Sequence, residues 1–144
     1  MRAYLAFTKK ELFEFTKTYK LLLIVTVFLI FGFMNPVVAK FTPDLMESLM
    51  QEEGIKISLP EPTIFDSWAQ FFKNTTQMGL IVLVIIFSGL ISNELSKGTL
   101  INMLTKGLSR KTVVLSKFTS STLVWTLAYF LSALVTFLYS MLFW

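Results

Sequence analysis

The chain has neither cysteine nor histidine among its 144 residues. Without cysteine there is no disulfide framework, thiolate nucleophile or cysteine metal site. Without either residue the usual zinc clusters, the Ser-His and Cys-His nucleophile pairs and the commonest general base near neutrality are excluded. The six glycines, Gly32, Gly54, Gly79, Gly89, Gly98 and Gly107, are too scattered for a phosphate-binding loop. No catalytic residue, metal ligand or cofactor is therefore expected, and any energy-driven work needs a partner's nucleotide chemistry. Charge is sparse as well: 15% of residues are charged and 54% hydrophobic, with a mean hydropathy of +0.67. A water-soluble domain of this size is seldom so apolar, and an all-α integral membrane protein is the expected class.

Three stretches are long and apolar enough to span. Residues 21–39, LLLIVTVFLIFGFMNPVVA, carry no charge and cover roughly 28 Å as a helix, close to a hydrocarbon core of about 30 Å. Residues 77–93 form a second span around MGLIVLVIIFSGLIS, with uncharged Asn74 to Gln77 before it and Asn93 after it. Residues 118–144 form a third, uncharged to the last residue, with Trp125, Tyr129, Tyr139 and Trp144 of the kind that settle near membrane boundaries.

Charge orients these spans. Residues 1–20 carry Arg2, Lys9, Lys10, Lys17 and Lys20 against Glu11 and Glu14, a net of +3. Residues 40–76 carry Lys40, Lys56 and Lys73 against Asp44, Glu47, Glu52, Glu53, Glu61 and Asp66, a net of −3. Residues 93–117 carry Lys97, Lys106, Arg110, Lys111 and Lys117 against Glu94, a net of +4. Lysine and arginine accumulate in cytoplasmic loops, so the N-terminus and the 94–117 loop are expected inside and the 40–76 loop outside. The overall charge of +4 then follows from topology without a nucleic-acid partner. A signal peptide cleaved after Ala39 competes with this reading, but the 20 residues ahead of the apolar run are long for one and include two glutamates.

On a helical wheel Met1, Tyr4, Leu5, Thr8, Leu12, Phe15 and Tyr19 share one face and the basic residues the opposite arc. This predicts an amphipathic helix over 1–20 lying in the membrane interface, or else the first span continuing into the cytosol. Phe7 and Phe13 fall off the stripe and suit a neighbouring helix. Asn35-Pro36 is expected to end or kink the first helix. In the outer loop, Pro43, Pro60 and Pro62 exclude one unbroken helix. Leu45, Met46, Leu49 and Met50 predict a short helix there, and Ile64, Phe65, Trp68, Phe71 and Phe72 a second, started by Thr63 and Asp66. Both are expected to lie on the outer membrane surface, cover a translocation path, or seal the loop by apolar contacts. Asn74-Thr75-Thr76 matches a short glycosylation acceptor. Ser132, Thr136 and Ser140 recur every four residues, a small-residue face suited to helix packing or to lining a cargo path.

The segment 93–117, NELSKGTLINMLTKGLSRKTVVLSK, is polar between two apolar runs. Thr99 is placed to cap a short helix whose apolar members are Leu100, Ile101, Met103 and Leu104, with Gly107 as terminator and Ser109 as cap of the next helix. An apolar plug with a basic rim suits a partner's groove; a solvated basic loop is the plain alternative. Glu94, Gly98, Thr99, Leu100, Leu104, Thr105, Ser109, Arg110 and Lys117, in this order and on this side, resemble the type-2 ABC transporter permease family. The N-terminal amphipathic helix and the long outer loop extend the resemblance over essentially the whole chain. Gly107 and Leu108 stand where members often have a proline ahead of the Ser-Arg pair.

The resemblance implies a multi-pass permease component in a bacterial or archaeal cell membrane, with Thr99 to Leu104 docking on a separate ABC ATPase subunit. Leu100, Leu104 and Arg110 would form the contact, with Gly98 and Thr99 at its start, and Glu94 would hold the loop through a nearby basic group. Six spans are typical of the family, so the chain is expected to be the N-terminal half of a permease and to pair with a second half or subunit. A small non-transport membrane protein, an immunity or assembly factor acting through helix contacts in the bilayer, is the competing function.

Overall fold

The computed structural model describes residues 1–54 and 59–144. Lys56, counted above in the charge of the outer loop, lies outside them. Among the described residues there are five helices: α1 (Arg2–Lys17), α2 (Lys20–Glu52), α3 (Ile64–Ser96), α4 (Thr99–Thr105) and α5 (Arg110–Phe143). There is no strand among the described residues. Helices α2, α3 and α5 are each long and apolar enough to cross a membrane. At 33 or 34 residues they measure about 50 Å, some 20 Å more than a hydrocarbon core. Leu29, Val84, Ile85, Leu127 and Phe130 point outward from them, as lipid-facing side chains should.

The chain divides into two compact units, one of Met1–Thr26 with Leu80–Ala128, the other of Val27–Gly79 with Tyr129–Trp144. In the first unit α1 ends at Lys17, where Thr18 turns extended at φ −95° and ψ 124°, so the first span does not continue as one helix to the N-terminus. The buried face of α1 is Phe7, Thr8, Glu11 and Phe15, rotated from the expected stripe; Met1, Leu5 and Tyr19 are exposed. The cause is contact with α5. Thr119 Oγ1 donates to Leu115 O at 2.8 Å, which leaves the Tyr4 hydroxyl to donate to Thr119 Oγ1 at 2.5 Å, and Ser116 Oγ donates to Tyr4 O at 3.4 Å. Phe7 does face a neighbour, whereas Phe13 is exposed.

In the second unit α2 does not end at Asn35-Pro36 but runs through Pro36 and Pro43 to Glu52. Proline 36 has no N–H to give the carbonyl of Gly32, four residues back. Thr136 Oγ1 of α5 donates to that carbonyl instead, at 3.1 Å, and neither residue's pairing is open to water, since Thr136 is wholly buried. Gly32 allows the approach: a Cβ there would stand 2.8 Å from Ser132 O. In a bilayer an unpaired backbone carbonyl costs several kcal/mol, so the helix persists where such a donor is supplied. Ser132, Thr136 and Ser140 are all buried and form the packing face of α5, with Ser140 Oγ 2.8 Å from Ser67 Oγ of α3. Phe71 packs fully buried against Tyr129, ring centroids 5.6 Å apart.

The two helical pieces foreseen in the 40–76 segment exist, but as continuations of the long helices: Leu45 to Met50 belong to α2 and Ile64 to Phe72 to α3. The start of α3 is a side-chain cap, with Thr63 N and Oγ1 both donating to Asp66 Oδ2 at 2.8 Å. Asn74 Nδ2 donates to Asn35 Oδ1 at 2.7 Å inside the unit, so the glycosylation motif is part of the packing. Lys40 Nζ donates to Phe143 O at 3.0 Å, 4.8 Å from the Phe143 ring centroid, a cation at the carbonyl end of α5.

Candidate functional site

The charged centre of the first unit joins three helices. Lys117, in the second turn of α5, reaches both oxygens of Glu11 at 3.2 Å and Glu94 Oε2 at 2.6 Å. Glu11 comes from the buried face of α1 and Glu94 from the last turn of α3, and all three side chains are shielded from solvent. The ammonium donates to both Glu11 oxygens and is held to Glu94 as an ion pair. At the rim Lys10 Nζ stands 3.1 Å from Glu14 Oε2 and 3.6 Å from Glu11 Oε1. Partial burial works to lower the pKa of Lys10, but the hydrogen bond to Glu14 and the charges of Glu11, Glu14 and Glu94 outweigh it, and the value is raised above the ordinary 10.5. The stabilising contribution is thus fully present below the ordinary lysine pKa and is lost only as pH rises through the raised value.

The carboxylates of Glu11, Glu14 and Glu94 lie within 4.8 Å of one another, a spacing that would suit a divalent cation. Lys117 and Lys10 already occupy that role. Sites of this kind are costly to break: removing one member of a buried ion cluster leaves an unpaired charge worth about 3–5 kcal/mol.

The segment between α3 and α5 contains α4, seven residues with no buried side chain. It hangs between two glycines in left-handed conformations, Gly98 at φ +68° and Gly107 at φ +95°, where other residues are strained. Gly98 takes the N-cap position expected of Thr99. The Thr99 hydroxyl instead donates to Glu94 O at 3.3 Å, satisfying a carbonyl at the end of α3. Ser109 caps α5 as its sequence position suggests, its Oγ accepting from Thr112 N at 3.2 Å. Ile101 is exposed, Leu100 and Leu104 are half-buried, and Arg110 is exposed at the first position of α5.

Of the residues singled out in sequence, Glu94 and Lys117 are brought into one cluster, while Gly98, Thr99, Leu100, Leu104 and Arg110 are strung along the connection. Glu11 was the residue missed. Its signal was present: Tyr4, Thr8, Glu11 and Phe15 follow helical spacing, but a glutamate on such a stripe reads as an outward charge until its partner is known.

No curated protein and no solved structure matches the chain. The family model described as "ABC-2 family transporter protein" matches residues 5–143, which takes in all five helices. Three membrane-crossing helices, the buried ion cluster and the glycine-hung helix α4 all fall within that match, and the chain belongs to the ABC-2 transporter family of multi-pass membrane permeases.

Proposed function

We propose that the chain is the membrane-spanning part of an ATP-driven exporter, with α4 as the contact for a separate ABC ATPase subunit. The observation that carries this is the construction of α4. A short helix without a single buried residue, hung between Gly98 and Gly107, presents Ile101 and its neighbours to whatever lies beyond the membrane. Half-buried Leu104 of α4 and exposed Arg110 at the start of α5 would supply an apolar anchor and a basic rim. The charge asymmetry of the loops supports a cytoplasmic position for this side and the N-terminus in a cell membrane.

Closure of the ATPase on nucleotide would displace α4. Thr99 ties α4 to the end of α3, and Glu94 ties the end of α3 to Lys117 and, through it, to Glu11. The displacement would then reach α1, α3 and α5 together and shift populations between inward-open and outward-open arrangements. A second permease half or subunit completes the pathway in this reading.

The test is affinity purification from mild detergent with identification of the copurifying chains. The expected partner is an ABC ATPase, and Ile101→Asp or Leu104→Asp should abolish its recovery while the protein still inserts. Unchanged recovery would remove α4 as the contact. Absence of any ATPase from the wild-type preparation would favour a non-transport role through helix contacts.

A further inference from the structure

Within the first unit α1 crosses α5 instead of running beside it. Tyr4 meets α5 at Ser116 and Thr119, and Glu11 meets it at Lys117. The stretch of α1 from Tyr4 to Glu11, about 10 Å along its axis, thus falls on a single turn of α5, about 5 Å long. The uncharged run of α5 starts at Phe118, and that of α2 starts at Leu21, just past the end of α1 at Lys17. With α2 and α5 spanning the bilayer, α1 lies across α5 at the level where both enter, along the membrane surface.

The face of α1 turned inward is Phe7, Thr8, Glu11 and Phe15, which leaves the opposite arc outward. Arg2, Leu5, Lys9, Phe13 and Lys17 recur along that arc at spacings of three and four, and all are exposed. Both acids of α1 are already taken, Glu11 by Lys117 and Lys10 and Glu14 by Lys10. Arg2, Lys9 and Lys17 have no acidic partner among the described residues. Lys17 Nζ stands 4.6 Å from the Phe13 ring centroid, and a shallow groove of about 580 Å³ beside it has Lys9, Lys10, Phe13 and Thr16 among its walls. The arc therefore offers unpaired cations interleaved with apolar side chains. An acidic protein surface would match the charges and leave Leu5 and Phe13 against polar groups. An anionic bilayer surface matches both, with phosphates for the cations and the acyl boundary for the apolar side chains.

We infer that the outward arc of α1 is a binding surface for anionic phospholipid, with Arg2, Lys9 and Lys17 on the headgroups and Leu5 and Phe13 at the acyl boundary. Zwitterionic lipid supplies the apolar contact without the net negative charge. The surface does not depend on an ATPase docking at α4.

The absence of cysteine from the chain lets a single fluorophore be attached at Thr16→Cys, on the wall of the groove. The full chain is placed in nanodiscs, and quenching is measured with phosphatidylglycerol and with phosphatidylcholine that carry the same nitroxide high on the acyl chain. Phosphatidylglycerol should associate about fivefold more strongly, as a basic residue near an anionic surface provides. Lys9→Gln with Lys17→Gln should bring the ratio to about one with helicity by circular dichroism unchanged, whereas the charge-matched Lys97→Gln with Lys106→Gln should leave it as it was. Raising salt from about 0.1 M to about 1 M shortens the screening length from about 10 Å to about 3 Å and should also lower the ratio. Equal quenching by the two lipids, a ratio unaltered in Lys9→Gln with Lys17→Gln, or an equal fall in the charge-matched control would overturn the inference. Quenching by neither lipid would overturn it too and assign the arc to a protein surface.

Discussion

The bond between Thr136 and the carbonyl of Gly32 makes a quantitative prediction. Thr136→Val keeps the shape of the side chain and removes its donor, leaving a carbonyl that Pro36 already deprives of its helical N–H. A buried unsatisfied acceptor costs about 1–3 kcal/mol, and interhelical hydrogen bonds in membranes reach about 1.7 kcal/mol at most, so a loss of about 1–1.5 kcal/mol is expected. Pro36→Ala returns the N–H to α2 and lets the helix serve its own carbonyl. In that background Thr136→Val should cost no more than about 0.5 kcal/mol, a coupling of about 1 kcal/mol. Unfolding by increasing mole fraction of dodecyl sulfate, followed by tryptophan fluorescence, measures all four corners of the cycle. If Thr136→Val costs the same with alanine at position 36 as with proline, the proposed exchange of donors is wrong.

Other expectations follow from the same geometry. Lys117→Met should destabilise by about 3–5 kcal/mol because Glu94 is left buried without a cation and Glu11 keeps only Lys10 at the rim, and adding Glu11→Gln with Glu94→Gln should restore most of it in the same unfolding assay. Gly32→Ala should cost about 1–3 kcal/mol, since its Cβ would meet backbone, Ser132 O, at 2.8 Å; a neutral result would show that α2 and α5 separate freely there. Gly98→Asn should be tolerated far better than Gly98→Val, by about 1 kcal/mol in thermal unfolding, because no neighbour lies within 4 Å and only the left-handed backbone resists.

The spans were legible because a bilayer imposes a length and an apolar composition that residues 21–39, 77–93 and 118–144 meet directly. The starts at Thr63–Asp66 and Ser109–Thr112 were legible for a similar reason, each being complete within four residues. Two features were not. The persistence of α2 through Pro36 rests on a hydroxyl 104 residues away, and local rules describe only what proline removes. The inward turn of Glu11 rests on a lysine 106 residues away, and without it a wheel assigns every charge to the outer arc.

Synthesis from the N-terminus gives the gap that Pro36 leaves in the hydrogen-bond ladder a temporal meaning. When α2 first enters the bilayer its Gly32 carbonyl has no donor, and when α1 forms its Glu11 has no Lys117. Both wait for α5, the last helix to leave the ribosome in this stretch of chain. Until then the nascent protein carries one orphan acceptor in α2 and, in α1, a glutamate paired by Lys10 alone, a state that favours continued shelter by insertion machinery over release into lipid. Arrival of α5 satisfies each within its own unit, so a chain interrupted before Lys117 should be retained and degraded as an unfinished one.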